Sequence, residues 1–116
     1  MIGDHNSNEK GTGARENTGK APLQMVPLHL LEEVGRVYYD VTISGKYKPW
    51  NWAKGMAWTV PYACILRHLA AWFRGEDNDP ETGYSHMAHV ICNALMLLHY
   101  RKFYPEGDDR PKEFFQ

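Results

Sequence analysis

The sequence has little of what marks several large classes of protein. Its uninterrupted apolar runs are far too short to cross a bilayer. Residues 1–20 are polar and rich in glycine, without the apolar stretch of a secretory signal, so we expect a cytoplasmic protein. The formal net charge is -1 and the Lys and Arg residues are scattered. The composition therefore predicts neither a membrane partner nor a nucleic-acid partner.

Cysteine is also scarce, with Cys64 and Cys92 as the two copies. Both fall among apolar neighbours inside predicted helices. Their spacing matches neither a zinc knuckle nor a redox C-x-x-C motif. Because a cytoplasmic compartment is reducing, we expect two buried thiols rather than a disulfide.

The 116 residues suffice for one domain and are too few for two. Apolar residues recur at helical spacing in three segments. The first follows Pro27, the second begins with Thr59 as its N-cap and stops at Gly75, and the third runs from about Ser85 to Phe103. Strand signals are weak. We therefore predict an all-α fold, a compact bundle of about three main helices with short extra helices.

Polar side chains gather around the connection between the second and third helices. His86 and His89 lie one turn apart on the third helix, and His68 lies on the second. The acidic connection brings Glu76 and Asp79 close to them. Histidines with carboxylates suit Mn, Fe or Zn, whereas carboxylates alone suit Mg. These five residues are predicted metal ligands, and the alternative is a set of hydrogen-bonded core histidines.

The start of the first helix carries a second acidic feature. Glu32 and Glu33 precede Arg36, and the simplest interpretation is helix-start acids with an ion pair four residues apart. The functional alternative turns Glu33 inward toward the predicted metal cluster. Asp40, two turns further along the same face, would point the same way. Both interpretations remain open for Glu33.

The connection between the first and second helices combines aromatic side chains with cations. Aromatic rings can stack on a base and cations can meet phosphates, so this composition fits a nucleotide site. The alternative is a lid that simply packs over the helices. The residues are Lys46, Tyr47, Trp50, Asn51, Trp52 and Lys54.

Short motifs along nearly the whole chain have a specific order and spacing. They are Gly13-Ala14-Arg15-Glu16-Asn17-Thr18-Gly19-Lys20, Val26-Pro27, Leu31-Glu32-Glu33-Val34, Gly45-Lys46-Tyr47, Asn51-Trp52, Lys54-Gly55, Arg67-His68, Ala71-Trp72 and Gly75-Glu76, followed by Asp79, Glu81, Gly83, His86, His89 and Asn93. In these motifs the chain resembles a phage-encoded family, the N-terminal domain of dATP/dGTP diphosphohydrolase.

That family is similar to the all-α, MazG-type nucleoside triphosphate pyrophosphohydrolases. Those enzymes hold Mg with Glu-Glu-x-x-Glu and Glu-x-x-Asp motifs and cut between the α and β phosphates. This chain departs from the pattern, because Arg36 stands near the place of a third acid and His86-x-x-His89 replaces the second motif. The departure leaves room for a phosphohydrolase with a histidine-rich site.

The resemblance implies a metal-dependent nucleotide phosphohydrolase that releases pyrophosphate from dATP or dGTP in phage nucleotide metabolism, in the host cytoplasm. It implies a divalent metal, Mg or Mn, with Zn or Fe as alternatives because of the histidines, and a homodimer or larger homo-oligomer. Glu33, Glu76 and His86 would be catalytic. The implied substrate-binding residues are Arg15, Asn17, Lys20, Lys46, Tyr47, Asn51, Trp52, Lys54 and Arg67.

The resemblance also changes the interpretation of the N-terminus, which composition alone would leave disordered. We expect residues 1–12 to be flexible and residues 13–116 to form one domain, with an ordered arm that closes over phosphate. Two competing hypotheses remain. One is a non-catalytic binder that sequesters a nucleotide or a nucleotide-derived signal without metal. The other is a structural or adaptor protein whose histidines satisfy one another in the core.

Overall fold

The computed structural model describes residues 10–16 and 18–115, and within them the ordered elements are all helical. Helix α1 spans Leu28–Ile43, α2 spans Thr59–Phe73 and α3 spans His86–Phe103. An isolated β-bridge joins Asn78 and Ser85. The predicted all-α fold is thus confirmed. Four short 3-10 helices connect or flank the main ones: Leu23–Met25, Asn51–Lys54, Pro105–Gly107 and Lys112–Phe114.

The helix ends follow local signals with one exception. Ser85 caps α3, because its Oγ accepts hydrogen bonds from the backbone N–H groups of Met87 and Ala88 at 3.0 and 3.4 Å. Gly75 follows α2 with a φ of 97°, in the left-handed region that glycine adopts without strain. Thr59, in contrast, is the first residue of α2 and not its N-cap.

The start of α2 is capped from the C-terminal tail instead. Asp109 accepts a hydrogen bond from the backbone N–H of Thr59 at 3.0 Å and another from its hydroxyl at 2.6 Å. A carboxylate at a helix N-terminus satisfies an orphan donor and meets the positive end of the helix dipole. The tail therefore supplies the cap that the sequence pattern assigned to Thr59 itself.

The core lies mainly between α1 and α3. Val34 and Val37 of α1 pack against Ala88 and Cys92 of α3. Tyr38 contributes a hydroxyl that donates to the backbone oxygen of Cys92 at 3.2 Å. Burial raises the pKa of the Cys92 thiol to about 12. Cys92 is therefore a buried thiol as predicted.

The predicted second buried thiol, Cys64, is only half-buried, and both cysteines are unpaired thiols. The sulfur of Cys64 accepts a hydrogen bond from Arg67 at 3.2 Å. None of the helices in the described residues is long and apolar enough to cross a membrane.

Aromatic residues pack the C-terminal half of α3 against the connection that precedes α2. Tyr100 is fully buried, and its hydroxyl donates to the backbone oxygen of Trp52. The Trp52 ring lies edge-on to His99 with centroids 5.1 Å apart. The connection is therefore held in place, and α3 has a polar buried end near His86 and an aromatic one near Tyr100.

Candidate functional site

Three elements bring the polar cluster together. His68 lies on α2 and His86 begins α3, while Asp79 lies in the tight connection between the two helices. The backbone fixes this connection, because the Asp79 N–H donates to the Tyr84 oxygen at 2.8 Å and the Gly83 N–H donates to the Asp79 oxygen at 2.7 Å. These two hydrogen bonds fix the backbone of Asp79, whose carboxylate lies beside His68.

A chain of polar contacts runs from Glu76 through His86 to His68. The Nε2 of His86 lies 2.7 Å from a carboxylate oxygen of Glu76, and its Nδ1 lies 2.9 Å from the Nδ1 of His68. Because a carboxylate only accepts, Nε2 of His86 carries the hydrogen. The other ring nitrogen of His86, Nδ1, then faces His68. Metal-binding histidines are commonly oriented by such a carboxylate behind the ring.

Asp79 faces the same point as an ionised carboxylate. One of its oxygens lies 3.7 Å from Nδ1 of His68, and the other accepts the backbone N–H of Glu81 at 2.7 Å. Burial raises the pKa of this carboxyl, but backbone hydrogen bonds from Glu81 and Thr82 outweigh burial and hold it below its ordinary value. Asp79 therefore presents negative charge to the histidines.

His89 lies beside this group rather than within it. Its ring stacks on that of His68, with centroids 4.4 Å apart and planes 7° from parallel. Its Nε2 lies 2.8 Å from the hydroxyl of Thr82. Burial lowers the pKa of both His68 and His89, and the charge of His89 lowers that of His68 further. Burial thus favours the neutral form of both imidazoles, in which a nitrogen lone pair can bind a metal.

One nitrogen each of His68 and His86 and one oxygen of Asp79 lie within 4.8 Å of one another. Nδ1 of His68 lies 2.9 Å from Nδ1 of His86 and 3.7 Å from an oxygen of Asp79, so the three side chains could share one ion. Two imidazole nitrogens and a carboxylate oxygen form a donor set suited to Mn, Fe or Zn. The residues therefore fit a divalent metal.

The five predicted ligands divide into two groups in space. His68, Asp79 and His86 converge, whereas Glu76 lies behind His86 and His89 stacks against His68. Thr82, which sequence reasoning did not select, holds His89 in place. The one feature of the sequence that pointed to Thr82 was its position inside the acidic connection. The metal-binding roles stay predictions.

The three acidic residues of α1 differ in exposure and in the residues that they contact. Glu33 is exposed and is not part of the converging donor set in the described residues. Glu32 forms the predicted ion pair with Arg36 at 3.0 Å. Asp40 is half-buried, and its charge acts on His89. On this helix Asp40 therefore faces the histidines, while Glu33 faces solvent.

A cleft of about 910 Å³ opens next to the cluster, between α1, α3 and the aromatic connection. Tyr47, Asn51 and Trp52 line this cleft, and His89 forms part of its wall. The predicted cations Lys46 and Lys54 are exposed on the same connection.

The other predicted phosphate-binding residues are spread along the chain. Arg67 is exposed beside His68 and its charge lowers the pKa of that histidine. Arg15 and Lys20 are exposed in the irregular segment that precedes α1. Asn17 lies outside the described residues. The structure therefore places Arg67 next to the cluster and the arm residues at the surface.

Comparison with known proteins identifies the family of this chain. The family model described as dATP/dGTP diphosphohydrolase, N-terminal, matches residues 10–110. A protein of Salmonella phage PMBT28 named dATP/dGTP diphosphohydrolase is 31% identical over 99 residues, which are 85% of this chain and 33% of that protein. The chain thus spans about a third of its relative's length. No solved structure matches it. The chain belongs to the family of dATP/dGTP diphosphohydrolase N-terminal domains.

Proposed function

We propose that this protein is a metal-dependent nucleotide phosphohydrolase that releases pyrophosphate from purine deoxynucleoside triphosphates. The observation that carries the proposal is the convergence of donor atoms from His68, Asp79 and His86 within 4.8 Å. The name of the Salmonella phage relative supplies the substrate class. The predicted homodimer or larger assembly stays a prediction.

His68, Asp79 and His86 would hold the metal, with Glu76 orienting His86 through its Nε2 hydrogen. A divalent metal at this point supplies charge that neutralises phosphate oxygens and lowers the pKa of a nearby water. Mg favours an all-oxygen site, so two imidazole nitrogens favour Mn, with Zn or Fe as the other candidates. Mg remains the alternative implied by family resemblance.

The proposed reaction is an attack of water on the α phosphorus. The new bond joins the water oxygen to that phosphorus, and the bond to the α–β bridging oxygen breaks, so that pyrophosphate leaves. The water must lose a proton as it attacks. The side chain of Glu76 is 45% exposed, so water can reach its carboxylate while Nε2 of His86 holds it in place. Glu76 is the proposed final acceptor of this proton, which would reach it through solvent, because the carboxylate lies on the Nε2 side of His86, away from the nitrogen that faces His68.

Cations around the cluster would meet the phosphate charges. Arg67 is placed best, because it adjoins His68 and its charge already acts on that ring. Arginine forms bidentate contacts with phosphate oxygens. Arg15, Lys20, Lys46 and Lys54 are exposed and accessible to a bound triphosphate, and remain proposed contacts.

The test uses metal-stripped protein with dGTP or dATP and added Mn or Mg, and measures pyrophosphate and nucleoside monophosphate. We expect turnover that chelator abolishes. His68→Ala should bind less metal and lose more than roughly 100-fold in activity, because removing a ligand costs more than removing its supporting residue. His29→Ala is the matched control, since His29 is exposed on α1. Retained nucleotide without turnover, insensitive to chelator, would instead establish the non-catalytic binder.

A further inference from the structure

The cleft beside the cluster contains a feature that the proposed reaction does not use. Trp50 lines the cleft and is 73% exposed, more than any of the other three tryptophans. Its φ is 65°, and it is the single non-glycine residue with a left-handed backbone in the described ranges. A bulky side chain rarely adopts this conformation, which costs about 1–2 kcal/mol. The chain therefore holds a large aromatic ring in water in a strained position.

Trp52 has the opposite environment, although it lies two residues away. Its ring contacts His99 at 5.1 Å and Tyr38 at 6.0 Å between centroids, and its backbone oxygen accepts the hydroxyl of Tyr100. Trp52 is thus fixed among its neighbours and has little face left for a ligand. Trp50 lies against it at 6.0 Å, tilted by 44°, and so is supported from behind.

The polar groups of the cleft suit a nucleobase. Asn93 lines the cleft, and its amide nitrogen donates to the backbone oxygen of His89 at 2.8 Å. Within the described part of the chain, its carbonyl oxygen is left to accept an N–H group from a ligand. Lys48 lies on the rim and supplies positive charge. A volume of about 910 Å³ is within the range of small-molecule sites.

We propose that this cleft binds the purine base of the nucleotide, with Trp50 as the stacking surface and Asn93 as the acceptor for the base edge. The inference rests on the proposed function for the identity of the ligand. His89 joins the two regions, because its ring forms part of the cleft wall and stacks on the metal-facing His68. Trp52, which the sequence pattern selected for stacking, becomes the support behind Trp50.

The test measures binding of dGMP by calorimetry in the presence of chelator, so that neither metal nor turnover is needed. Trp50→Gly removes the ring and lets the backbone adopt its φ of 65° without strain. We expect dGMP to bind roughly 5- to 100-fold more weakly, the range for one lost base stack. The Tm should stay equal or rise. Trp50→Phe should recover most of the affinity.

Phe73→Ala is the matched control, because Phe73 is 85% exposed and does not line the cleft. It should bind dGMP as the unaltered protein does. The inference is overturned if Trp50→Gly binds normally, if its Tm falls in parallel with its affinity, or if the unaltered protein does not bind dGMP.

The two proposals fail separately. Trp50-dependent binding of dGMP without any hydrolysis of dGTP would reject the proposed reaction and support the base site. Metal-dependent hydrolysis with an unchanged KM in Trp50→Gly would support the reaction and reject the base site.

Discussion

Helix α3 has buried side chains at both ends, polar at its start and aromatic near its end. Its first turns carry His86 and His89, which meet other polar side chains, whereas its last turns carry Tyr100 and the residues around it. At the aromatic end the ring of Tyr104 lies so close to Gly107 that a Cβ there would be 2.5 Å from it. The space between Tyr104 and Gly107 is therefore filled by the ring itself.

The polar end brings together nitrogen and oxygen atoms where a fold usually places apolar side chains. Bringing His68, Asp79 and His86 together costs desolvation free energy, which lowers the pKa of His68. A fold that needed only stability would place apolar side chains there. The aromatic end of α3 therefore stabilises the fold, and the polar end is the proposed binding site.

The largest expected effect on stability comes from breaking the aromatic end. Tyr100→Ala removes a fully buried ring and should lower the free energy of unfolding by about 3–5 kcal/mol. Denaturant unfolding measures this loss. The metal affinity of the molecules that remain folded should not change, because Tyr100 lies at the other end of α3. Tyr100→Phe, which keeps the ring, should lose about 1 kcal/mol. A weakened metal site in Tyr100→Phe would contradict the separation of the two ends.

Glu76→Gln at the polar end should have a smaller effect, and on metal affinity rather than on stability. Gln keeps an acceptor for Nε2 of His86 but removes the negative charge that orients and polarises the ring. The metal affinity should fall roughly 10- to 100-fold, as for other residues behind a metal ligand. Competition with a chromophoric chelator measures it. Glu106→Gln, an exposed acid near the aromatic end, is the control and should bind metal normally.

The smallest effect is a pH dependence of stability in metal-free protein. The pKa of His68 and of His89 is below the ordinary value of 6.5 in the folded state, chiefly because of burial. The unfolded chain therefore binds more protons just below pH 6.5, and the free energy of unfolding falls as the pH decreases through that value. Urea unfolding at pH 7.5 and 5.5 measures the change.

His68→Gln should reduce this slope, since it removes one of the two titrating rings. An unfolding midpoint that is the same at both pH values in the unaltered protein would show that the histidines are not held neutral by burial.

The helices were predictable because their signals are local. The apolar spacing after Pro27, the stop at Gly75 and the cap at Ser85 each act within a few residues. The cap of α2 was not predictable in this way, because Asp109 lies 50 residues from Thr59 and reaches it through the tertiary fold.

The candidate site was predictable in place but not in detail. Spacing along α2 and α3 predicted that His68, His86 and the acids would meet, and they do. Which acid faces the shared point depends on the turn, and this turn aims Asp79 at His68 while Glu76 lies behind His86. The sequence could not decide whether Glu33 faces solvent or the cluster. That depends on which side of α1 packs against the other helices.

The opposite ends of α3 show where local sequence information stops. Residue order and spacing suffice for helix positions, since backbone hydrogen bonds and the helical repeat involve near neighbours. Convergence of side chains depends on how the helices pack and on the path of their connections. For that reason the fold, and not the pattern of residues, decides that His89 stacks on His68 beside the converging donor atoms and that Trp50, not Trp52, keeps its ring exposed.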